Sequence, residues 1–242
     1  MWSLLKKEIA SFLSSLTGYI VIIVFLIIIG LFMWVFPGEN NILDSGFATI
    51  DTLFYIAPWV FLFLVPAITM RLFAEEKRIG TLETLLTKPL TDFQIVIAKY
   101  ISGLILVIFA LLPTLVYFIS VQYFLSHRAM DLGGTFGSYI GLFFLAAVYV
   151  AIGLFSSSLT SNQVVAFIIG ILLMFFFFIG FEYISQLKLW GDIAYIIDYL
   201  GIDNHYRSIS RGVIDTRDVI YFLSIITIFL MLTKLILEKR RW

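Results

Sequence analysis

Six long apolar runs occupy most of the chain, near residues 18–36, 52–70, 101–124, 138–155, 164–181 and 219–237. A helix of about 20 apolar residues crosses the ~30 Å hydrocarbon layer of a bilayer. None of the runs contains Asp, Glu, Lys or Arg until its last few residues. Such stretches fold as helices, because lipid offers no partner to an unpaired backbone group. Strands of a membrane barrel would instead alternate over about ten residues. The expected fold is an all-α membrane protein, one transmembrane domain over residues 1–242. The first run is longer than a signal-peptide core, and Phe36-Pro37-Gly38-Glu39 is not a small-residue cleavage site, so it is expected to stay in the mature protein.

Composition agrees. The chain is 61% hydrophobic and 13% charged, against roughly half and a quarter for soluble domains. A formal net charge of zero removes the basic signature of nucleic-acid binding. With no cysteine, disulfides and thiolate metal sites are excluded. His127 and His205 lie far apart in polar links, which disfavours a histidine-based zinc site.

Six spans place both termini on one side, and the Lys/Arg bias selects the side. Lys6, Lys7, Arg71, Lys77, Arg78, Lys88, Lys99, Lys234, Lys239, Arg240 and Arg241 fall on one face, eleven in all; Arg128, Lys188, Arg207, Arg211 and Arg217 fall on the other. The expected orientation has both termini, and the charged link after span 2, in the cytoplasm.

The segments outside the spans carry patterns of their own. Trp2, Leu5, Ile9, Phe12 and Leu16 mark one face of a helix, read as an interfacial helix over 1–17; a plain cationic lead-in is the alternative. The link 71–100 reads as helix, break, helix. Gly80 and Thr81 offer a start, Leu82, Leu85 and Leu86 an apolar face, and Pro89 a stop. Thr91-Asp92-Phe93-Gln94 is a capping box opening span 3. A leucine face this small is expected to need lipid or another protein. Thr160 or Ser161 can cap span 5, and Asp215 or Thr216 span 6. Segment 182–218 is expected to form short outer helices dipping back into the membrane face. Pro58, Pro66 and Pro113 mark ordinary bends or broken helices, and the run 175–178 of four phenylalanines either packs or lines a lipid-like path.

Chemistry is conspicuously missing. There is no G-x-x-x-x-G-K-[ST] loop and no H-E-x-x-H, so neither an ATP phosphate cradle nor a zinc protease site is expected. No ionisable residue is expected at mid-membrane to run a proton- or ion-driven carrier. Any energy source must therefore sit in another chain.

At the charged link the residues Met70-Arg71, Ala74-Glu75-Glu76-Lys77, Gly80-Thr81-Leu82-Glu83, Leu85-Leu86 and Pro89, with the later Arg211-Gly212-Val213-Ile214-Asp215 and Asp218, resemble the signature of type-2 ABC transporter permeases. Within that family Ala57-Pro58-Trp59, 137–141 and 162–167 are most similar to the gliding-motility-associated permease subunit of Bacteroidetes bacteria. The resemblance implies a non-catalytic half-transporter in the bacterial inner membrane. It also implies pairing with a second copy or a related membrane subunit with a large outer domain. No cofactor is implied in this chain; ATP and magnesium belong to a separate ATPase. The segment 80–86 would be the coupling helix, with Arg71, Glu75, Glu76 and Glu83 beside it.

Three functions compete. The first is the membrane subunit of an ATP-driven exporter or extrusion complex. The second is a passive channel or a structural anchor of an envelope complex, which has no need of a leucine-faced cytosolic helix. The third, an intramembrane enzyme, lacks an acid–base and nucleophile set.

Overall fold

Apolar length sets the architecture, and α9 sets its centre. The computed structural model describes residues 1–45, 49–87, 89–124, 131–187 and 191–239, without the side chains of Ser45, Leu86, Phe124 and Asp192. The helices are α1 (Trp2–Leu13), α2 (Leu16–Trp34), α3 (Ile42–Ser45), α4 (Asp51–Thr69), α5 (Arg71–Ile79), α6 (Thr81–Leu86), α7 (Asp92–Leu111), α8 (Thr114–Phe124), α9 (Leu132–Leu159), α10 (Gln163–Phe175), α11 (Phe181–Ser185), α12 (Ala194–Tyr199), α13 (Ile202–Ile209) and α14 (Thr216–Glu238). A π-helical turn, Phe176–Gly180, joins α10 to α11. No strand occurs among the described residues.

Six stretches of the described residues are long and apolar enough to cross a membrane: Leu16–Trp34, Asp51–Ile79, Asp92–Tyr123, Leu132–Leu159, Gln163–Ser185 and Thr216–Glu238. They coincide with the six expected spans. In α9, 78% of the apolar stretch is buried, against 22% in α2. It packs against α14, α10, α4 and α7, so α9 is the hub and α2 a peripheral helix.

The prolines divide. Pro58 and Pro66 stay inside α4, where neighbouring helices can absorb the lost donor. Pro113 separates α7 from α8, and Thr114 Oγ1 there donates to the Leu111 carbonyl at 2.7 Å. The capping box at Thr91 is formed in both directions. Asp215 caps α14. At α10 the cap is Asn162, whose Oδ1 accepts from Val164 N at 2.9 Å, rather than Thr160 or Ser161; an Asx side chain one residue nearer the helix reaches the free amide first. Among the phenylalanines, Phe178 is buried, with its ring edge-on to Trp59 (5.6 Å) and Tyr149 (6.1 Å), while Phe175 and Phe176 are exposed.

Candidate functional site

The charged link is built into the bundle rather than hung from it. Span 2 does not stop at Met70: α5 continues it to Ile79 after a single turn residue. Ser157 of α9 sits in that bend. Its Oγ donates to Met70 O (2.9 Å) and accepts from Phe73 N (3.0 Å) and Ala74 N (3.1 Å). A helix start leaves its first amides unpaired, and here another helix supplies the cap. Lys77 adds a hydrogen bond to the Ser158 carbonyl. Gly153 lets α9 and α4 meet, since a Cβ there would lie 2.2 Å from Thr69 Oγ1.

Below this bend lies a buried charge cluster. Lys99, in the second turn of α7, is fully buried. Its Nζ lies 2.9 Å from Glu8 Oε1 of α1, 2.5 Å from the Leu72 carbonyl and 2.9 Å from Glu76 Oε2 of α5. The last contact is an ion pair off the hydrogen-bond direction, which leaves Glu76 Oε2 without a hydrogen bond. The Phe73 ring lies 5.1 Å from the same ammonium. Glu76 Oε1 accepts from Lys7 Nζ at 3.1 Å. Burial alone would lower the Lys7 pKa, but pairing with Glu76, and the nearby Glu8 and Glu75, more than offset it and raise it. Two lysines and two glutamates thus join α1, α5 and α7. An ammonium has three donors; here two are met by Glu8 and the Leu72 carbonyl, and Glu76 adds its charge.

The residues expected at the coupling link fall into two groups. Glu76 points inward to Lys99. Glu75 stays near the surface, 3.9 Å from Arg78. Arg71 lines a cavity of about 280 Å³ with Lys7, Ser11 and Glu75. Gly80 has φ +79, the left-handed conformation that ends α5. Thr81 opens α6 but makes no side-chain cap. Leu82 and Leu85 are buried in the chain's own core, which corrects the expectation of an unpartnered leucine face: the helix packs back on the bundle that carries it. Leu86 lies in α6 with its side chain outside the described residues, as Lys88 is altogether. Glu83 and Thr84 are exposed, as is Pro89 beyond the helix.

The later motif sits at the opposite end. Gly212 has φ +83 and touches α9 so closely that a Cβ would lie 2.5 Å from Gly134 Cα; one on Gly137 would lie 2.5 Å from Gly212 Cα. Ser138 Oγ donates to Ser210 O at 2.7 Å beside them. Arg211 is exposed and Asp215 caps α14. Asp218 is buried, with Oδ1 2.6 Å from His205 Nδ1 and Oδ2 without a hydrogen bond. His205 Nε2 faces the Tyr199 carbonyl at 2.9 Å, and the ring stacks on Tyr221 at 3.7 Å. A carbonyl only accepts, so Nε2 carries a hydrogen. Tyr206 donates to the Phe54 carbonyl at 2.6 Å, fastening α13 to α4. Burial, opposed by the paired Arg207 guanidinium 2.6 Å away, pushes the Asp203 carboxyl up.

Sequence reasoning missed Lys99, Glu8, Ser157 and the His205–Asp218 pair. One sign was available: Ile95, Lys99, Ser102 and Leu106 share a helical stripe, and all are buried. A lysine on an apolar stripe calls for a carboxylate from elsewhere.

Membrane-length helices packed round α9, with a polar knot at each end, define a multi-pass helical membrane protein. The family model for ABC-2 family transporter proteins matches residues 2–241. The chain belongs to that family and is a membrane permease subunit of an ABC transporter. Members are generally the non-catalytic transmembrane subunits. No curated protein matches the chain.

Proposed function

We propose that this chain is the pathway-forming, energy-coupled subunit of an ATP-driven export or extrusion complex in a bacterial inner membrane, with both termini cytoplasmic. A separate ATPase supplies ATP and magnesium chemistry and docks on the α5–α6 segment. A second copy, or a related membrane subunit with a large outer domain, completes the pathway. The likeness of 57–59, 137–141 and 162–167 to gliding-motility permeases supports a role in that machinery.

The observation that carries the coupling role is the Lys99 cluster. Through Glu76 it ties α5 to α1 and α7, while Ser157 and Lys77 tie it to α9. A push on the exposed Gly80–Glu83–Thr84 face therefore reaches three helices through rigid contacts instead of a loose loop. Purification of the tagged chain from its native membrane tests the reading. A separate P-loop ATPase is expected to co-elute, and the chain alone is expected to hydrolyse no ATP. Nucleotide hydrolysis by partner-free chain, or a complex without any ATPase, overturns it.

A further inference from the structure

We propose that the chain binds a lipid with an ammonium head group, its acyl chain in the slot between α2 and α4 and its head among Asp51, Asp203 and Trp59 at the α13 end.

Two cavities meet there. The larger, about 810 Å³, is walled by Val24, Phe32, Phe63 and their apolar neighbours on α2 and α4. Val24, Tyr55, Trp59 and Phe63 are exposed, so the slot opens sideways. Its lining runs from Ile20 to Phe32 on α2 and from Tyr55 to Ala67 on α4. At 1.5 Å per residue that is about 18 Å, more than half the ~30 Å hydrocarbon thickness. A slot of this shape suits an extended chain better than a compact solute.

The smaller cavity, about 220 Å³, lies between the first turns of α4, the π-helical turn and α13, with Asp51, Asp203 and Arg207 in its wall. Tyr55 and Trp59 line both cavities, so the apolar slot and the polar pocket are continuous across two rings. Charge then selects the head. Among the described residues Arg207 is the one cation of that wall, already engaged by Asp203 at 2.6 Å and Glu182 at 3.7 Å. Asp51 has no hydrogen-bond or ion-pair partner among the described residues. Among the described residues of the wall negative charge is in surplus, and aromatic faces beside it favour a cation. A second copy of the chain pressed into the slot with an apolar helix would cover the slot lining but bring no cation to the Asp51 pocket beside it. Π-helical turns are rare and concentrate at functional sites; this one places Phe178 in the wall of the head pocket and against Tyr149. The Tyr149 hydroxyl is buried without a hydrogen bond.

This deepens the permease reading by naming a substrate class, and transport of the lipid rests on that reading; binding needs no ATPase and is tested without one. The purified chain in detergent is exposed to photoactivatable phosphatidylethanolamine or phosphatidylglycerol carrying the same diazirine acyl chain. The ethanolamine lipid should label the slot peptides about fivefold more, the upper range for one solvent-reached ion pair. Asp51→Asn should bring the two lipids level, and Val24→Trp should remove slot labelling by both at unchanged elution volume. Equal labelling by both lipids, indifferent to Asp51→Asn, leaves solvating lipid only and overturns the proposal. So does near-complete disulfide linkage between copies carrying Val24→Cys in native membranes, which makes the slot an interface. A chain that recruits its ATPase but shows no ammonium preference sinks this inference and leaves the permease reading standing; the converse result does the opposite.

Discussion

Lys99 and Glu8 meet at 2.9 Å across ninety-one residues of sequence, one buried at the foot of α7 and the other on α1. Glu76 closes the triad from α5. A buried ion cluster of this kind adds little over an apolar core of equal volume, but half of one is expensive.

Lys99→Met should therefore destabilise the chain by about 3–5 kcal/mol, because it removes the buried ammonium from Glu8 and Glu76 and leaves them only the solvent-exposed Lys7. Adding Glu8→Gln and Glu76→Gln to it should recover most of the loss. Thermal unfolding in detergent, followed by size-exclusion recovery, reads both. A triple variant no better than the single one would show that the lysine serves something other than charge balance.

The docking face should be the exposed side of α6. Glu83→Lys with Thr84→Arg should leave membrane abundance near wild type and weaken ATPase co-purification by at least about tenfold, equivalent to 1.4 kcal/mol. Leu82→Ser should behave differently. Its side chain is buried, and losing a buried leucine costs about 2–5 kcal/mol, so folded protein should fall. Normal recruitment by this doubly cationic variant would move the docking surface to α1 or the α9–α10 turn.

Gly212→Ala should disrupt the α13–α14 corner on two counts. The new Cβ would lie 2.5 Å from the Gly134 backbone, and φ is +83. Overpacking costs about 1–3 kcal/mol, and left-handed backbone adds about 1–2 kcal/mol for an L side chain. Hydrogen exchange at Ile209–Asp218 should rise selectively. Unchanged protection there would mean that the corner can open without loss.

Asp203 gives a pH dependence with a definite sign. Its folded pKa is raised by burial above the ordinary 3.8, so the folded state holds the proton more tightly. The stability linked to it is fully present below pH 3.8 and disappears as pH rises through the folded value. The melting temperature of the wild type relative to Asp203→Asn should thus increase as pH falls from 7 toward 4. A difference that is flat, or that grows with pH, contradicts the assignment.

Membrane class, the six spans, the capping box at Thr91 and the cap at Asp215 were legible in the sequence. Each depends on a local quantity: apolar length, or a side chain within three residues of a free amide. The charged link was legible as a special segment, but its leucines were assigned to a partner when the bundle itself buries Leu82 and Leu85. Tertiary structure alone decided that α9 is the hub and that Ser157 caps a helix more than eighty residues earlier. It alone paired Lys99 with Glu8 and Glu76, and brought Gly212 to Gly134. The reason is physical. Hydrophobic periodicity says which side of a helix must be covered and is silent about what covers it, and buried charges and bare backbone contacts take their partners from whichever helices the packing brings alongside.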